Sequence, residues 1–207
     1  MKENTPMPQA IDVYFEFSSS YSYICHEKIA ELANRHGLDL NWKCISLGAI
    51  FKQLNHAMPP LGSPKQKYLW HDVERSARQA GLEYNWPETF PFNSMHAARG
   101  FYWISDTAPD QIVPYLKAVF KAAFAEGREV GNPEVLKSIV TSLGLDGDTY
   151  LAALSDDSYK SRLKQETIAA QGRDVFGCPT FYFKDEMFWG ADRLAALETY
   201  IKTEKDT

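Results

Sequence analysis

The chain has 207 residues, of which 44% are apolar and 14% aromatic, and its formal net charge is −5. This composition excludes a disordered chain and permits one large domain, or a small domain that carries an insertion. The acidic charge disfavours a nucleic-acid partner, and no apolar run is long enough to span a bilayer, so no membrane role is expected. Residues 1–10 lack the pattern of a secretory signal, and we therefore expect a cytoplasmic protein.

The first elements along the chain predict a βαβ unit. Apolar and polar residues alternate from Ile11 to Phe17, as in a half-buried strand, and they alternate again from Leu38 to Cys44. Between these strands, apolar residues recur at helical spacing until Gly37, which is a typical helix stop. Two strands joined by a helix are expected to be parallel.

The middle of the chain is predicted to be helical. Residues 46–63 contain two prolines and two glycines and are interpreted as a loop. Residues 63–66 combine a capping serine, a proline at the first helical position and a glutamine three residues after the cap, which predicts a helix to residue 80. Residues 85–93 form another predicted loop. Further helices are predicted at 94–106, 110–126, 133–143, 148–154 and 157–171.

The end of the chain returns to β-structure. Residues 180–183 and 187–189 are predicted strands of one hairpin, and a helix with one apolar face follows. The order βαβ, helical block, ββα predicts an α/β protein with a thioredoxin-like fold and a large all-helical insertion. We predict a thioredoxin-like domain from residues 10–50 and 172–207, and an inserted helical domain from residues 51–171.

The serine-rich turn after the first strand, residues 18–20, is a candidate active site. A helix N terminus presents free N–H groups and a partial positive charge, and a hydroxyl there can donate one more hydrogen bond to an anion. Together these groups favour a thiolate over a thiol. The alternative is that these serines only cap the helix, which is a common role for serine.

Two further loops of the predicted sheet could bind a ligand. Pro179 precedes a short strand and is a candidate cis-proline, which would leave the backbone of Cys178 free to pair with a peptide-like ligand. The alternative is an edge-strand proline without a ligand role. After the last strand, Asp192 could accept hydrogen bonds from an ammonium group of a ligand, or it could cap the last helix.

The three cysteines, Cys25, Cys44 and Cys178, form no C-x-x-C pair. An odd count without clustering disfavours a disulfide framework, and it leaves too few ligands for a zinc site. We therefore expect reduced, buried thiols and no bound metal.

Three segments resemble those of the 2-hydroxychromene-2-carboxylate isomerases, a DsbA-like family related to kappa-class glutathione transferases. The segments are FEFSSSYSY at 15–23, VFGCPT at 175–180 and FWGADRL at 188–194, and the resemblance extends from Ile11 to about Ile201. It implies a homodimeric isomerase of aromatic compound catabolism that uses glutathione as its cofactor. In that reaction the glutathione thiolate adds reversibly to 2-hydroxychromene-2-carboxylate to give trans-o-hydroxybenzylidenepyruvate.

The resemblance also assigns the glutathione site. It implies that Ser19 is catalytic and contacts the glutathione sulfur, and that the backbone at Cys178 and Pro179 pairs with the cysteinyl part. Asn55 is implied as a further glutathione contact. The loop that holds the γ-glutamyl end is implied to consist of Trp189, Gly190, Ala191 and Asp192.

The resemblance further implies where a small aromatic carboxylate substrate binds. The residues on that side are Lys65, Tyr68, Asn93 and Ser94. Lys65 is a suitable partner for a substrate carboxylate, although a lysine in a first helical turn is often simply exposed. Tyr68 lies one turn further and either faces the same pocket or packs in the core.

The chain departs from the family pattern at two positions near the site. Ser20 stands where proline is common, and Cys178 stands where valine is usual. A thiol at residue 178 could form a mixed disulfide with glutathione under oxidation, or it could be a small buried side chain. A DsbA-type oxidoreductase is disfavoured, because Ser19 and Ser22 occupy the positions of the two cysteines that such an enzyme requires.

Two other functions are compatible with the same site. A kappa-like glutathione transferase or peroxidase would use the same thiolate, but as a transferase it would release a conjugate. A non-catalytic protein would hold glutathione or a peptide in the proline groove. An electrophile such as a chlorodinitrobenzene separates the two enzymes, because conjugation consumes glutathione and isomerisation does not.

Overall fold

The architecture comes from a computed structural model, which describes residues 10–205. The expectations for residues 1–9, including the absence of a signal sequence there, lie outside the described residues. The strands are β1 (Ala10–Phe15), β2 (Asp39–Cys44), β3 (Thr180–Phe183) and β4 (Glu186–Trp189). The helices are α1 (Ser20–His36), α2 (Leu47–Gln53), α3 (Pro64–Gln79), α4 (Met95–Thr107), α5 (Ile112–Phe124), α6 (Pro133–Ser142), α7 (Gly147–Ser155), α8 (Asp157–Gly172) and α9 (Leu194–Lys205).

The four strands form one mixed sheet in the order β2-β1-β3-β4. Strands β1 and β2 are parallel, whereas β3 pairs antiparallel with β1 and β4 pairs antiparallel with β3. Tyr14 lies opposite Thr180, and Thr180 lies opposite Trp189. The end of β1, the start of β3 and the end of β4 are therefore neighbours at one edge of the sheet. The predicted thioredoxin-like fold with a helical insertion is confirmed.

Both faces of the sheet are covered. On one face, Ile11 and Val13 of β1 pack with residues of α1 and α9. On the other face, Tyr14 and Tyr182 pack with Ile50 of α2 and with α8. The face that the alternating sequence pattern assigns to polar residues is thus a second buried layer, because α8 of the insertion packs on it.

The core of the insertion continues into the end of β1. Phe15 packs edge-on against Phe101 of α4 at a centroid distance of 5.3 Å, and Phe17 lies 5.4 Å from Phe120 of α5. These aromatic side chains belong to one buried cluster that also includes residues of α1, α6 and α7. The residues just before the serine turn are therefore anchored by the insertion.

The interpretation of residues 46–63 as a loop is wrong in its first half, where α2 forms. Ser46 caps this helix by accepting a hydrogen bond from the Ala49 N–H at 3.4 Å, and Ile50 is buried against the sheet. Tertiary burial of Ile50 overrides the weak helix propensity of Gly48. The boundary predicted between residues 50 and 51 falls inside α2, and the division into two domains remains a prediction.

Candidate active site

Three loops converge on one point, as the strand register requires. The β1–β3 register ends where Tyr14 lies opposite Thr180, so the turn after β1 and the turn before β3 are neighbours. The Ser19 hydroxyl then donates to the Cys178 carbonyl at 3.2 Å, and the Gly190 N–H donates to the Pro179 carbonyl at 3.0 Å. The Cys178–Pro179 peptide bond is cis, as expected from the sequence. We call this convergence of the serine turn, the Cys178–Pro179 turn and the loop from Trp189 to Asp192 the slot.

Ser19 is both a helix cap and a member of the slot. It has extended backbone angles, and its Oγ accepts a hydrogen bond from the Ser22 N–H at 3.2 Å. The side chain is nearly buried, with 8% of its surface exposed. A hydroxyl has one proton, so an anion bound here would compete with the Cys178 carbonyl for it.

The electrostatic environment of the slot is set partly by α1. This helix has 17 residues, no acidic residue in its first turn, and Arg35 and His36 in its last turn. Its positive end therefore faces the slot without a neutralising carboxylate in that turn, which favours a bound anion.

The loop after β4 gives the slot an aromatic wall. Trp189 is 51% exposed and meets Phe176 edge-on at a centroid distance of 4.7 Å. Gly177 permits this contact, since a Cβ atom there would lie 2.4 Å from Nε1 of Trp189. Gly190 has a φ of 113°, which other residues rarely adopt.

Asp192, the acidic residue of this loop, is exposed. It lies in a 3₁₀ turn over Ala191–Arg193, before α9 begins, and accepts a hydrogen bond from Arg193 Nη2 at 2.6 Å. Its carboxylate points outside the core and keeps capacity for another donor.

A buried acidic residue near the slot was not among the predicted site residues. Glu16 accepts hydrogen bonds from the Ser18 N–H at 2.8 Å, from the Ser18 hydroxyl and from the Ser94 hydroxyl. Burial raises the pKa of the Glu16 carboxyl, and these hydrogen bonds partly oppose that effect. The only sequence signal for Glu16 was the presence of an acidic residue shortly before the candidate turn.

Ser20 and Tyr21 connect the slot to the insertion. The Ser20 hydroxyl and the Tyr84 hydroxyl share a hydrogen bond of 2.8 Å. The Tyr21 hydroxyl donates to Asp72 Oδ2 of α3 at 2.7 Å, and Arg75 pairs with the same carboxylate. Neither Tyr84 nor the Asp72–Arg75 pair was predicted from the sequence.

The residues predicted to bind the substrate differ in their exposure and in their contacts with the slot. Lys65 is exposed in the first turn of α3, and Tyr68 is 60% exposed, so the interpretation that Tyr68 packs in the core is wrong. The Asn93 side chain accepts a hydrogen bond from the Met95 N–H at 3.0 Å, while the buried Ser94 hydroxyl is engaged by Glu16. Asn55 is exposed after α2 with a φ of 51°. Among residues 10–205, no hydrogen bond joins Lys65 or Asn55 to the slot.

A surface groove of about 400 Å³ lies along α3 and contains none of the predicted site residues. Its lining residues are Leu61, Gly62, Gln66, Lys67, Trp70, His71 and Glu74. We place the site in the slot instead, because hydrogen-bonding groups from three loops and a helix N terminus converge there.

All three cysteines are free thiols. Burial raises the pKa of Cys25 to about 12, and it raises the pKa of Cys178 well above that of an ordinary thiol. Such thiols are protonated at neutral pH and are poor nucleophiles. This favours the interpretation of Cys178 as a small, largely buried side chain.

Within the part of the chain that the structure describes, no three His, Cys, Asp or Glu side chains are grouped as a metal site. None of the helices between residues 10 and 205 is both long and apolar enough to cross a bilayer.

The model of the DSBA-like thioredoxin domain family matches residues 10–202 of the chain. With the sheet topology and the cis-proline turn, this defines a protein of the DSBA-like thioredoxin class. A 2-hydroxychromene-2-carboxylate isomerase of Pseudomonas putida is 33% identical over an alignment of 193 positions that covers 91% of this chain and 92% of that protein. The chain belongs to the family of these isomerases within the DSBA-like class.

Structural and more distant similarities agree with this assignment. A solved structure of a 2-hydroxychromene-2-carboxylate isomerase superposes with a TM-score of 0.84 and 31% identity, covering 94% of this chain and 95% of that one. Glutathione S-transferase kappa 1 of Rattus norvegicus is 20% identical over an alignment of 212 positions that covers 97% of this chain and 93% of the transferase. The predicted relationship to both groups is confirmed.

Proposed function

We propose that this protein is a glutathione-dependent isomerase that interconverts 2-hydroxychromene-2-carboxylate and trans-o-hydroxybenzylidenepyruvate. One observation carries the proposal: the Ser19 hydroxyl lies 3.2 Å from the Cys178 carbonyl, beside a cis-proline and at the N terminus of α1. Similarity to isomerases of this name over nine-tenths of the chain supports the choice of reaction.

The residues of the slot fit glutathione. A tripeptide needs backbone partners, which the Cys178–Pro179 turn offers, and its thiolate needs donors, which Ser19 and the first turn of α1 supply. The Ser22 hydroxyl is buried and has no hydrogen-bond partner among residues 10–205. A buried hydroxyl without a partner is unfavourable, and a polar ligand at this end of α1 would supply one.

The loop from Trp189 to Asp192 is proposed to hold the γ-glutamyl end. The exposed carboxylate of Asp192 can accept hydrogen bonds from an α-ammonium group, and the half-exposed Trp189 indole covers one side of the slot. The name of the kappa-class relative, a glutathione transferase, supports the same cofactor.

Glutathione, when bound, supplies the nucleophilic thiolate that adds to the conjugated carbon of the substrate and is expelled after the carbon–carbon bond has rotated. Ser19 donates a hydrogen bond to the sulfur and does not attack the substrate. Its proton turns from the Cys178 carbonyl toward the sulfur, while its oxygen continues to accept the Ser22 N–H.

On the substrate side, Lys65 and Tyr68 are proposed to bind the aromatic carboxylate. Both lie on one face of α3 and are exposed. We place Asn93 and Ser94 at the border of that side, where Ser94 acts through Glu16 because its hydroxyl is already engaged. Asn55 is proposed as a contact of glutathione from the end of α2.

The test is turnover of 2-hydroxychromene-2-carboxylate, followed by its change in absorbance, with and without glutathione. We expect isomerisation that requires glutathione and leaves its concentration unchanged. Thermal unfolding gives an independent measure, since a ligand at 100 times its Kd adds about 2.7 kcal/mol to stability. No thermal shift at millimolar glutathione, together with no isomerisation, would refute the proposal.

The same assay separates the alternative functions. Stoichiometric loss of glutathione with a chlorodinitrobenzene, without isomerisation, would indicate a kappa-like transferase. Binding of glutathione without either activity would indicate a binding protein.

We further propose that the protein is a cytoplasmic homodimer. Its three thiols are free, and several large apolar side chains around α2 and α3 are exposed. These side chains are Leu54, Met58, Leu61 and Tyr68. Analytical ultracentrifugation tests the dimer, and cell fractionation tests the location.

A further inference from the structure

Glu16 is a buried carboxyl to which the proposed chemistry assigns no role beyond its hydrogen bond with Ser94. Only 4% of its surface is exposed, yet its carboxyl group receives three hydrogen bonds. Two come from Ser18 in the serine turn, and the third comes from Ser94, which immediately precedes α4 of the insertion. These three hydrogen bonds satisfy the carboxyl group and favour its ionised form, against the burial that raises its pKa.

The position of Glu16 relates it to the slot. Its backbone carbonyl accepts the Ser19 N–H at 3.0 Å, and its carboxylate accepts the N–H of the adjacent Ser18 at 2.8 Å. The Ser19 hydroxyl in turn donates to the Cys178 carbonyl at 3.2 Å. When Glu16 is ionised, its negative charge therefore lies close to the serine turn that would hold the sulfur.

Among residues 10–205, the charge of Glu16 affects the pKa of two other titratable groups. Cys44 of β2 and Cys178 have their pKa raised first by burial and then by the charge of Glu16. Both are thiols at neighbouring positions of the fold. A third thiol placed in the slot, that of a bound ligand, would experience the same field.

We propose that Glu16 is a positioning residue for the bound thiol: it fixes the serine turn through Ser18 and Ser94, and its negative charge limits how readily the thiol ionises. This inference rests on the proposed function and deepens it. Glu16 opposes the N terminus of α1 and the Ser19 hydroxyl, which both favour the thiolate.

Such opposition suits a reaction in which one sulfur must both add and leave. The intrinsic nucleophilicity of a thiolate falls as the pKa of its thiol falls, while its ability to leave improves. A slot with donors alone would hold an abundant but unreactive thiolate. A nearby carboxylate raises the pKa of the thiol and so makes its thiolate more nucleophilic. The carboxyl group and the thiol then titrate as a coupled pair.

The experiment titrates the thiolate of bound glutathione by its ultraviolet absorbance in the full-length protein and in Glu16→Gln. Glutamine keeps the size of the side chain and can still form hydrogen bonds, but it carries no charge. We expect two coupled steps in the unmodified protein, and one step in Glu16→Gln at a pH lower by about one unit or more. The acid limb of the pH profile of kcat/KM should move to lower pH by the same amount, and the plateau value of kcat/KM should be lower.

Glu31→Gln is the matched control, because Glu31 is an exposed carboxylate of α1 and its loss changes the net charge equally. It should leave both profiles unchanged. Glu16→Asp keeps the charge and should retain the two-step titration. If Glu16→Gln fails to fold, Ser94→Ala takes its place. This variant removes one donor to Glu16 and makes the carboxyl easier to protonate. The pH of the thiol titration should then shift in the same direction by a smaller amount.

The outcomes separate the two proposals. Glutathione that binds to Glu16→Gln with an unshifted or raised thiol titration overturns the role of Glu16 and leaves the proposed function intact. Glutathione that does not bind to the unmodified protein overturns the proposed function, and the role of Glu16 with it.

Discussion

Ser19 combines two roles that the sequence presented as alternatives. Its oxygen caps α1 by accepting the Ser22 N–H, and its proton is directed at the Cys178 carbonyl inside the slot. The capping interpretation and the active-site interpretation are therefore compatible, because a hydroxyl accepts and donates at the same time. A variant at this position should affect stability and turnover separately.

Ser19→Ala is expected to lower kcat by about 10²–10³-fold, which is the usual effect of removing one donor to a developing anion. Glutathione affinity should be largely kept, and stability should fall by about 1 kcal/mol because the cap is lost. Steady-state kinetics, calorimetric binding and urea unfolding measure these effects. Asn132→Ala, which removes the cap of α6, is the control: it should cost similar stability with unchanged kcat. Unchanged turnover in Ser19→Ala would remove Ser19 from the mechanism.

His26 should make stability depend on pH. The ring is 4% exposed, and its Nδ1 lies 2.5 Å from the Tyr23 carbonyl. Burial lowers the pKa of His26, so the unfolded chain binds a proton at a higher pH than the folded protein does. The stabilisation by neutral His26 is therefore complete above about pH 6.5, the unfolded value, and is lost as the pH falls below it.

His26→Gln should flatten that dependence, since glutamine can still donate to the Tyr23 carbonyl but does not titrate. Urea unfolding at a series of pH values from neutral to mildly acidic tests this. His71→Gln, on the exposed side of α3, is the control and should retain the slope of the unmodified protein. Equal slopes for His26→Gln and the unmodified protein would contradict the prediction.

At the scale of elements, two helical glycines have opposite roles. A Cβ atom on Gly100 of α4 would lie 2.2 Å from the Tyr150 hydroxyl and 2.5 Å from a ring carbon, whereas a Cβ atom on Gly48 of α2 would meet nothing within 4 Å. Gly100 is therefore required by the contact between α4 and α7. Gly48 has no such reason to be glycine.

Gly100→Ala should destabilise the protein by about 1–3 kcal/mol through overpacking, while Gly48→Ala should stabilise it by about 0.5–1 kcal/mol through helix propensity. Tyr150→Phe should not rescue Gly100→Ala, because the ring carbons clash as well as the hydroxyl. Thermal and urea unfolding of the three variants test this. A stability of Gly100→Ala equal to that of the unmodified protein would show that α7 can move away.

Most elements could be predicted because each carries a local signal. Gly37 ends α1 with a φ of 60°, and Ser63 caps α3 through the Gln66 N–H at 3.2 Å, as their sequence positions indicate. Helix α2 has a capping serine, Ser46, but no helical apolar pattern strong enough to predict it: it is short, contains Gly48, and is held by the burial of Ile50 against residues distant in the sequence. Local patterns cannot report a contact of that kind.

The residues of the candidate site also divide into those that a local sequence pattern indicates and those that it does not. Ser19, Pro179 and Asp192 could be singled out because each lies at a recognisable turn of the sheet. Glu16 could not, because the alternation of β1 assigns it to the polar face, and only the packing of the insertion buries it. Tyr84 lies between the helix predicted to end at residue 80 and the loop predicted at residues 85–93, and no pattern indicates that its side chain reaches the slot.

The molecule as a whole should unfold in one step. Phe15 and Phe17 at the end of β1, and Tyr23 of α1, share a single buried cluster with the helices of the insertion. Separating the insertion from the sheet would expose this shared cluster, although the sheet also has a second buried cluster with α1 and α9. The predicted division at residues 51 and 171 therefore should not correspond to two independent unfolding units.

Urea unfolding followed by tryptophan fluorescence and by far-ultraviolet circular dichroism should give coincident transitions. Phe17→Ala should lower both midpoints equally, at a cost of about 3–5 kcal/mol. Leu197→Ala, in the separate cluster under α9, is the matched test from the opposite end of the molecule and should also keep the transitions coincident. Two resolved transitions would show that the parts unfold independently.

The hydrogen bonds from Tyr84 to Ser20 and from Ser94 to Glu16 cross from the insertion into the two ends of one short turn. Tyr84 and Ser94 therefore contact the serine turn of the slot through a single intermediate side chain each. On the proposed function, substitution at either position would change the reactivity of the site while every residue of the sheet stays the same. The insertion could thus alter the chemistry of the slot without any change in the sheet that positions it.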